Sequence, residues 1–190
     1  MIKTDRLFLR LPRPEDAADL AAAYAEPETV RYIGDGMTST LDDVEAVIPQ
    51  WLEGWDLWGV GFCSLERRED ARVLGRAGFL RWDPETWEIG GSETEIGWLL
   101  GQEHWGRGYA TEAALALRDW ARRERGLSRL ISLIQHGNVR SVRVAEKLGE
   151  CYERDVEVRG ESTWLYALSS VGSTELDRER RRRHVRRRSG

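Results

Sequence analysis

The chain has 190 residues, 41% of them hydrophobic and 33% charged, which suffices for one domain with a full core and is ordinary for a globular protein. Its opening MIKTDRLFLR is charged at once, no apolar run approaches the roughly 18 residues of a membrane span, and Cys63 and Cys151 give neither a disulfide framework nor metal-ligand spacing, so a reducing cytoplasm is expected, with no membrane contact, no metal, and both thiols as small buried hydrophobes. The net charge of −4 is uneven: Val171 to Gly190 hold eight Arg against three acids, which leaves residues 1–170 at −9, a poor general nucleic-acid surface and one compatible with a cationic amine.

Arg6 to Leu11, RLFLRL, alternates and reads as a first strand. PRPEDAADLAAAYAE follows with Pro and acids at its start, a helix beginning, and Pro27 stops it. From Thr40 a second helix opens with a cap and acids in its first turn, and Trp51, Trp55 and Trp58 recur on one face, as a core stripe more readily than as a pocket wall. WGVGFCSLER and RVLGRAGFLRW are two strands of a hairpin, and SETEIGWLL is a fourth strand. GYATEAALALRDWARRERG is an amphipathic helix ended by Gly126, LSRLISLIQ a fifth strand, and NVRSVRVAEKLG a helix capped by Asn138 and Gly149. CYERDVEV and STWLYALS close the domain as a hairpin around RGE. With no repeat or linker before residue 170, the expectation is one α/β domain over 1–170 and an Arg-rich tail over 171–190, outside the core.

The strand EIGWLL, the turn HWGRGYATEA and the helix start come in the order that presents free N–H groups and a positive helix end to a phosphate or pyrophosphate. A dinucleotide fingerprint fails, because Thr111 stands at the third glycine and LIQHGN offers no acid after the next strand. A P-loop fails for want of Gly-Lys-Ser/Thr. Coenzyme A is the remaining class.

EIGWLL and HWGRGYATEA, followed about 25 residues later by NVRSVRVAEKLG, together with TDRLFLRLPRPEDAADL, resemble the GNAT superfamily of N-acetyltransferases, and within it the RimJ/RimL-like branch. The resemblance implies a mixed, mostly antiparallel sheet of about seven strands with helices on both faces, splayed between the fourth and fifth strands. It implies acetyl-CoA as co-substrate, with its arm near Trp98, Leu99 and Leu100 and its pyrophosphate on Gly106, Arg107, Gly108, Tyr109, Ala110 and Thr111. Gly106 and Gly108 let the backbone approach the ligand; Trp105 takes the place of a more usual polar residue; Arg107 either adds charge to the phosphates or points to solvent.

The same resemblance implies transfer to a primary amine, a peptide N-terminus or a small molecule. Many members place a Tyr acid seven residues after the helix-start Asn; here that position is Ala145. Ser141, on the same helical face as Asn138, is the candidate donor to the leaving sulfur. Glu95 and Glu157 are the candidate bases, each with a structural reading beside the catalytic one, and a water chain is a further route. Glu150 departs from the family's apolar residue after the helix-ending glycine, and His104 and His136 read as solvated loop residues. The alternative is a non-catalytic acetyl-CoA-binding module docked on an acidic partner through the tail; ribosome or nucleic-acid contact through that tail is the less favoured reading of it, and a homodimer is compatible with the resemblance.

Overall fold

The computed structural model describes residues 1–83 and 92–168; the Arg-rich tail and its boundary at residue 170 lie outside the described residues. An eight-stranded sheet runs in the order β1-β2-β3-β4-β5-β6-β8-β7, from β1 (Ile2–Lys3), β2 (Leu7–Arg10), β3 (Phe62–Arg67), β4 (Val73–Trp82), β5 (Glu93–Leu100), β6 (Ile131–Gln135), β7 (Glu150–Val158) and β8 (Glu161–Leu168). The extra strand over the expected seven is β1, two residues that pair with Phe8 and Leu9. All pairings are antiparallel except β5 with β6.

The helices are α1 (Ala17–Tyr24), α2 (Pro27–Val30), α3 (Leu41–Trp58), α4 (Tyr109–Arg125) and α5 (Val139–Leu148). Pro27 ends the first helix as expected, but it also starts α2, because a proline at the first helical position needs no N–H partner. Thr40 and Asp43 form a reciprocal capping box on α3. Alternation along β4 and β5 divides the core: Val73 and Leu99 pack with α1 and α3, whereas Leu74, Ile96 and Leu100 pack with α4. Trp51 is buried against Phe62, and half-buried Trp55 packs on Trp120 at the edge of the core, but Trp58 is exposed, so two of the three members of the stripe join the core.

Arg10 grips Asp16 through two bonds of 2.7 Å, and the Ser64 hydroxyl donates to the same carboxylate at 2.6 Å. Burial alone would raise the Asp16 carboxyl; the hydrogen bonds from Arg10, Ser64 and the Arg13 backbone hold it below the usual range. This buried knot ties β2 and β3 to the turn before α1. Cys63 is buried in the core, where burial pushes its thiol up to about 12; Cys151 is half-buried rather than buried as expected.

Candidate active site

The parallel pair β5–β6 is registered at a single point, Glu95 opposite Ile131. Beyond it the strands diverge, and the Ser132 hydroxyl donates across the narrow end to the Ile96 carbonyl at 3.0 Å. This is the splay expected between the fourth and fifth sequence strands.

At the end of β5 the chain makes one 3-10 turn and enters the glycine turn. Gly106 and Gly108 have φ of 74° and 81°, left-handed values that glycine adopts without strain. A Cβ on Gly106 would meet nothing within 4 Å, and one on Gly108 only an Arg6 nitrogen at 3.5 Å. Within the protein itself, then, these glycines are needed for backbone conformation rather than for clearance. The N–H groups that open α4 have no partner within the helix and face the turn.

A clamp that local sequence patterns did not reveal holds this turn. The Glu112 carboxylate accepts from the Thr4 hydroxyl at 2.6 Å and from the Arg6 backbone at 2.9 Å and side chain at 2.7 Å. Arg6 in turn donates to the Arg107 carbonyl at 2.9 Å and lies 4.5 Å over the Tyr109 ring. Trp105 anchors the other side, its indole N–H donating to the Leu100 carbonyl at 2.8 Å while Arg140 stacks on its ring.

A cavity of about 870 Å³ runs from this turn to the N-terminus of α5. Every cofactor-contact residue named from the sequence lines it except Arg107, whose side chain is exposed. Arg31, Arg140, Arg143 and Lys147 also line it. Left-handed glycines, free helix N–H groups and a cationic wall fit a long, phosphate-bearing co-substrate such as acetyl-CoA. His104, expected in solvent, is buried in this wall; burial lowers its pKa, and its Nδ1 has no hydrogen-bond partner among the described residues.

A second cavity of about 270 Å³ adjoins the first. The two share Tyr32, Ile33, Trp98, Asn138 and Ser141, so they meet along these residues, Ser141 among them. Asn138 Oδ1 accepts from the Ser141 N–H at 3.1 Å, a helix N-cap. The Ser141 hydroxyl itself has no hydrogen-bond partner among the described residues and stands where both cavities meet. Ala145, in the position of the usual Tyr, is fully buried under Ile134 and Tyr166.

Glu95 lies in the second cavity. Its carboxylate accepts from the Trp82 indole at 2.8 Å. Burial pushes it up to about 7, against that bond and the nearby charges of Arg76 and Arg159. Glu157, the other candidate base, is not brought to Ser141: it is exposed on the edge strand β7, opposite Ser162, and lines neither cavity. The sheet order is the reason, since β8 lies between β6 and β7. His136 stacks on Trp164 and bonds Asp155 at the surface.

Residues 6–150 match the acetyltransferase (GNAT) domain. The chain belongs to the GNAT acetyltransferases. This acetyltransferase is 31% identical to the Bacillus subtilis protein YkkB over 88% of its own length and 94% of YkkB's. It superimposes on a GNAT-family acetyltransferase of Bordetella pertussis with a TM-score of 0.73 at 28% identity, covering 88% of this chain and 98% of that one. It shares its fold with RimL, the ribosomal L7/L12 α-N-protein acetyltransferase solved with coenzyme A, at a TM-score of 0.72, 14% identity, and coverage of 86% and 94%. The enzyme is thus an acetyl-CoA-dependent acyltransferase, and its acceptor is an amine.

Proposed function

We propose that the acceptor amine enters by the smaller cavity and is acetylated at Ser141, with Glu95 as the base. The observation that carries this reading is the adjacency of the two cavities: Ser141 lines both the cationic cavity behind the glycine turn and a second cavity that contains the Glu95 carboxylate. The presence of Glu95 there argues against a non-catalytic acetyl-CoA-binding module. The net reaction converts an ammonium and a thioester to an amide, a thiol and one proton. Bound acetyl-CoA supplies the activated acetyl group.

This chain's residues do the rest. Glu95 takes the proton that frees the nitrogen lone pair, and the Trp82 indole fixes its position. N–H groups on the diverging edge of β5 are the donors for the charge that develops on the thioester oxygen. The Ser141 hydroxyl, weakly acidic, hydrogen-bonds the leaving sulfur or passes a proton to it through water. Trp105 and Ser141 also suit placement in the RimJ/RimL-like branch, in which the amine is a protein N-terminus; a small-molecule amine is the other acceptor class. The test is thiol release from acetyl-CoA against a panel of small amines and peptides, together with calorimetric melting. Acetyl-CoA is expected to raise the melting temperature, since it binds the native state alone. Absence of both binding and thiol release at millimolar acetyl-CoA would overturn the reading.

A further inference from the structure

The whole domain is acidic, which suits a cationic acceptor, yet the acceptor cavity is not acidic. On its β4–β5 floor the register sets Arg76 opposite Leu99, Gly78 opposite Gly97 and Leu80 opposite Glu95, and cross-strand partners share a face. A guanidinium and a carboxylate therefore flank a pair of glycines. A Cβ on Gly97 would stand 3.8 Å from Glu95 Oε1 and 3.8 Å from the Phe62 ring, in ordinary contact, so its absence leaves open floor between those two groups.

Arg76 is held rigidly for a purpose that the protein itself does not complete. Its Nε donates to the Tyr24 hydroxyl, and its guanidinium lies 4.0 Å from the Phe62 ring and 5.3 Å from that of Trp51. This half-buried group has no carboxylate within ion-pairing distance among the described residues, whereas Arg10, Arg67 and Arg129 each have one. Glu95 feels the Arg76 charge without pairing with it, so a ligand anion would complete this partly desolvated cation. Arg159 adds a second charge at the same cavity. It occupies the hairpin turn at φ 52°, a strained value for arginine, which sets its guanidinium 5.8 Å from the Trp82 ring. Two cations and one carboxylate around about 270 Å³, room for the order of nine water molecules, describe a small ligand bearing both charges.

Resting on the acetyltransfer reading of this site, we infer that the acceptor is a small primary amine that also carries an anionic group, a carboxylate or phosphate, with the amine beside Glu95 and the anion on Arg76. A planar guanidinium backed by an aromatic ring suits either anion, because both accept two parallel N–H bonds.

The test uses matched acceptors with the full chain: an amino acid against its amide, and an aminoalkyl phosphate against the corresponding amino alcohol. The expected result is a KM about 10- to 100-fold lower for the anionic member of at least one pair, the size of a charge-assisted hydrogen bond; which pair shows it identifies the anion. Arg76→Met is expected to reduce that preference to about onefold while acetyl-CoA still raises the melting temperature, which shows the variant is folded. Arg76→Lys is expected to restore part of the preference. Equal or better use of the neutral members, efficient acetylation of peptides whose carboxylates are all capped, or an Arg76→Met defect of the same size for both members would overturn the inference. The last outcome would make Arg76 a positioning residue for Glu95. Calorimetric titration of the same pairs into the coenzyme A complex separates the two readings, since it needs no turnover. A preference for the anionic member without thiol release would sink the catalytic reading and leave the acceptor class standing; no preference there would overturn the acceptor class.

Discussion

In the proposed mechanism, Glu95 is the residue on which the chemistry depends most. A carboxyl at about 7 is ionised in half the molecules near neutral pH, and only the ionised form takes a proton. The expected kcat/KM therefore rises with pH through about 7 and then levels off. Glu95→Gln is expected to remove that limb and lower kcat by about 10²- to 10⁴-fold, the usual contribution of a positioned base. An unchanged pH profile would reassign proton removal to water. Ser141→Ala is expected to lower kcat by about 10- to 100-fold with little change in the KM for acetyl-CoA, because the lost contact strengthens only as charge reaches the sulfur; an unaltered kcat would leave Ser141 as a residue of the helix cap. Both were named as candidates from the sequence through the family resemblance, and both line the second cavity. Glu157 was misplaced because the crossing of β8 between β6 and β7 is a long-range fact that no local pattern carries. Arg76 had a local signal, a lone charge among apolar residues in VLGRAGF, but nothing there told a cavity wall from an exposed face.

At the scale of elements, the strand–turn–helix unit was readable because its punctuation is local: glycines with left-handed φ at Gly106 and Gly108, and the free helix start behind them. What steadies it was not readable, since the Arg6–Glu112 clamp joins positions more than a hundred residues apart. The clamp orients the turn through the Arg107 carbonyl, so Arg6→Ala is expected to weaken acetyl-CoA binding by about tenfold, the loss of a charge-assisted contact that acts only through the turn. Gly108→Val forces a β-branched residue to φ 81° and is expected to abolish the acetyl-CoA-induced rise in melting temperature. Titration calorimetry of both variants checks this. If Arg6→Ala binds acetyl-CoA as the wild type does, the glycine turn holds its shape unaided. The splay belongs to the same scale. The chain signalled two apolar strands, but that they pair at one point only, Glu95 opposite Ile131, is a long-range register that no local pattern carries.

Across the whole molecule, four groups pull the response to pH in two directions: half-buried Glu95 and the buried Glu150, Asp16 and His104. Glu95 and Glu150 are pushed up by burial to about 7 and about 8, with repulsion from Glu95 adding to Glu150. For each, the folded protein binds more protons than the unfolded chain above the ordinary carboxyl value of 4.5, so stability falls as pH rises from about 4.5 towards 8. Asp16 and His104 act oppositely. Both are lowered, so the stability of Asp16 is lost as pH falls below 3.8 and that of His104 as pH falls below 6.5. The unliganded enzyme is thus expected to be most stable in the mildly acidic range and to lose stability towards pH 8.5. Glu150 is the main cause: it is 1% exposed, and neither carboxylate oxygen has a hydrogen-bond partner among the described residues, the nearby Ser132 hydroxyl being directed to Ile96. The sequence marked this position as unusual, an acid where an apolar residue is the habit, and the structure supplies the consequence, an acid kept neutral by its surroundings. Glu150→Leu removes a buried polar group without a partner, an effect of about 1–3 kcal/mol. Calorimetry is expected to show a melting temperature at pH 8 raised by about 2–4 °C per kcal/mol for a domain of this size, and a flatter decline between pH 6 and 8.5. A gain of the same size at pH 5 and pH 8 would mean that the carboxyl is not titrating, and an unchanged slope with no gain would mean that the acid meets water or a counter-charge in solution.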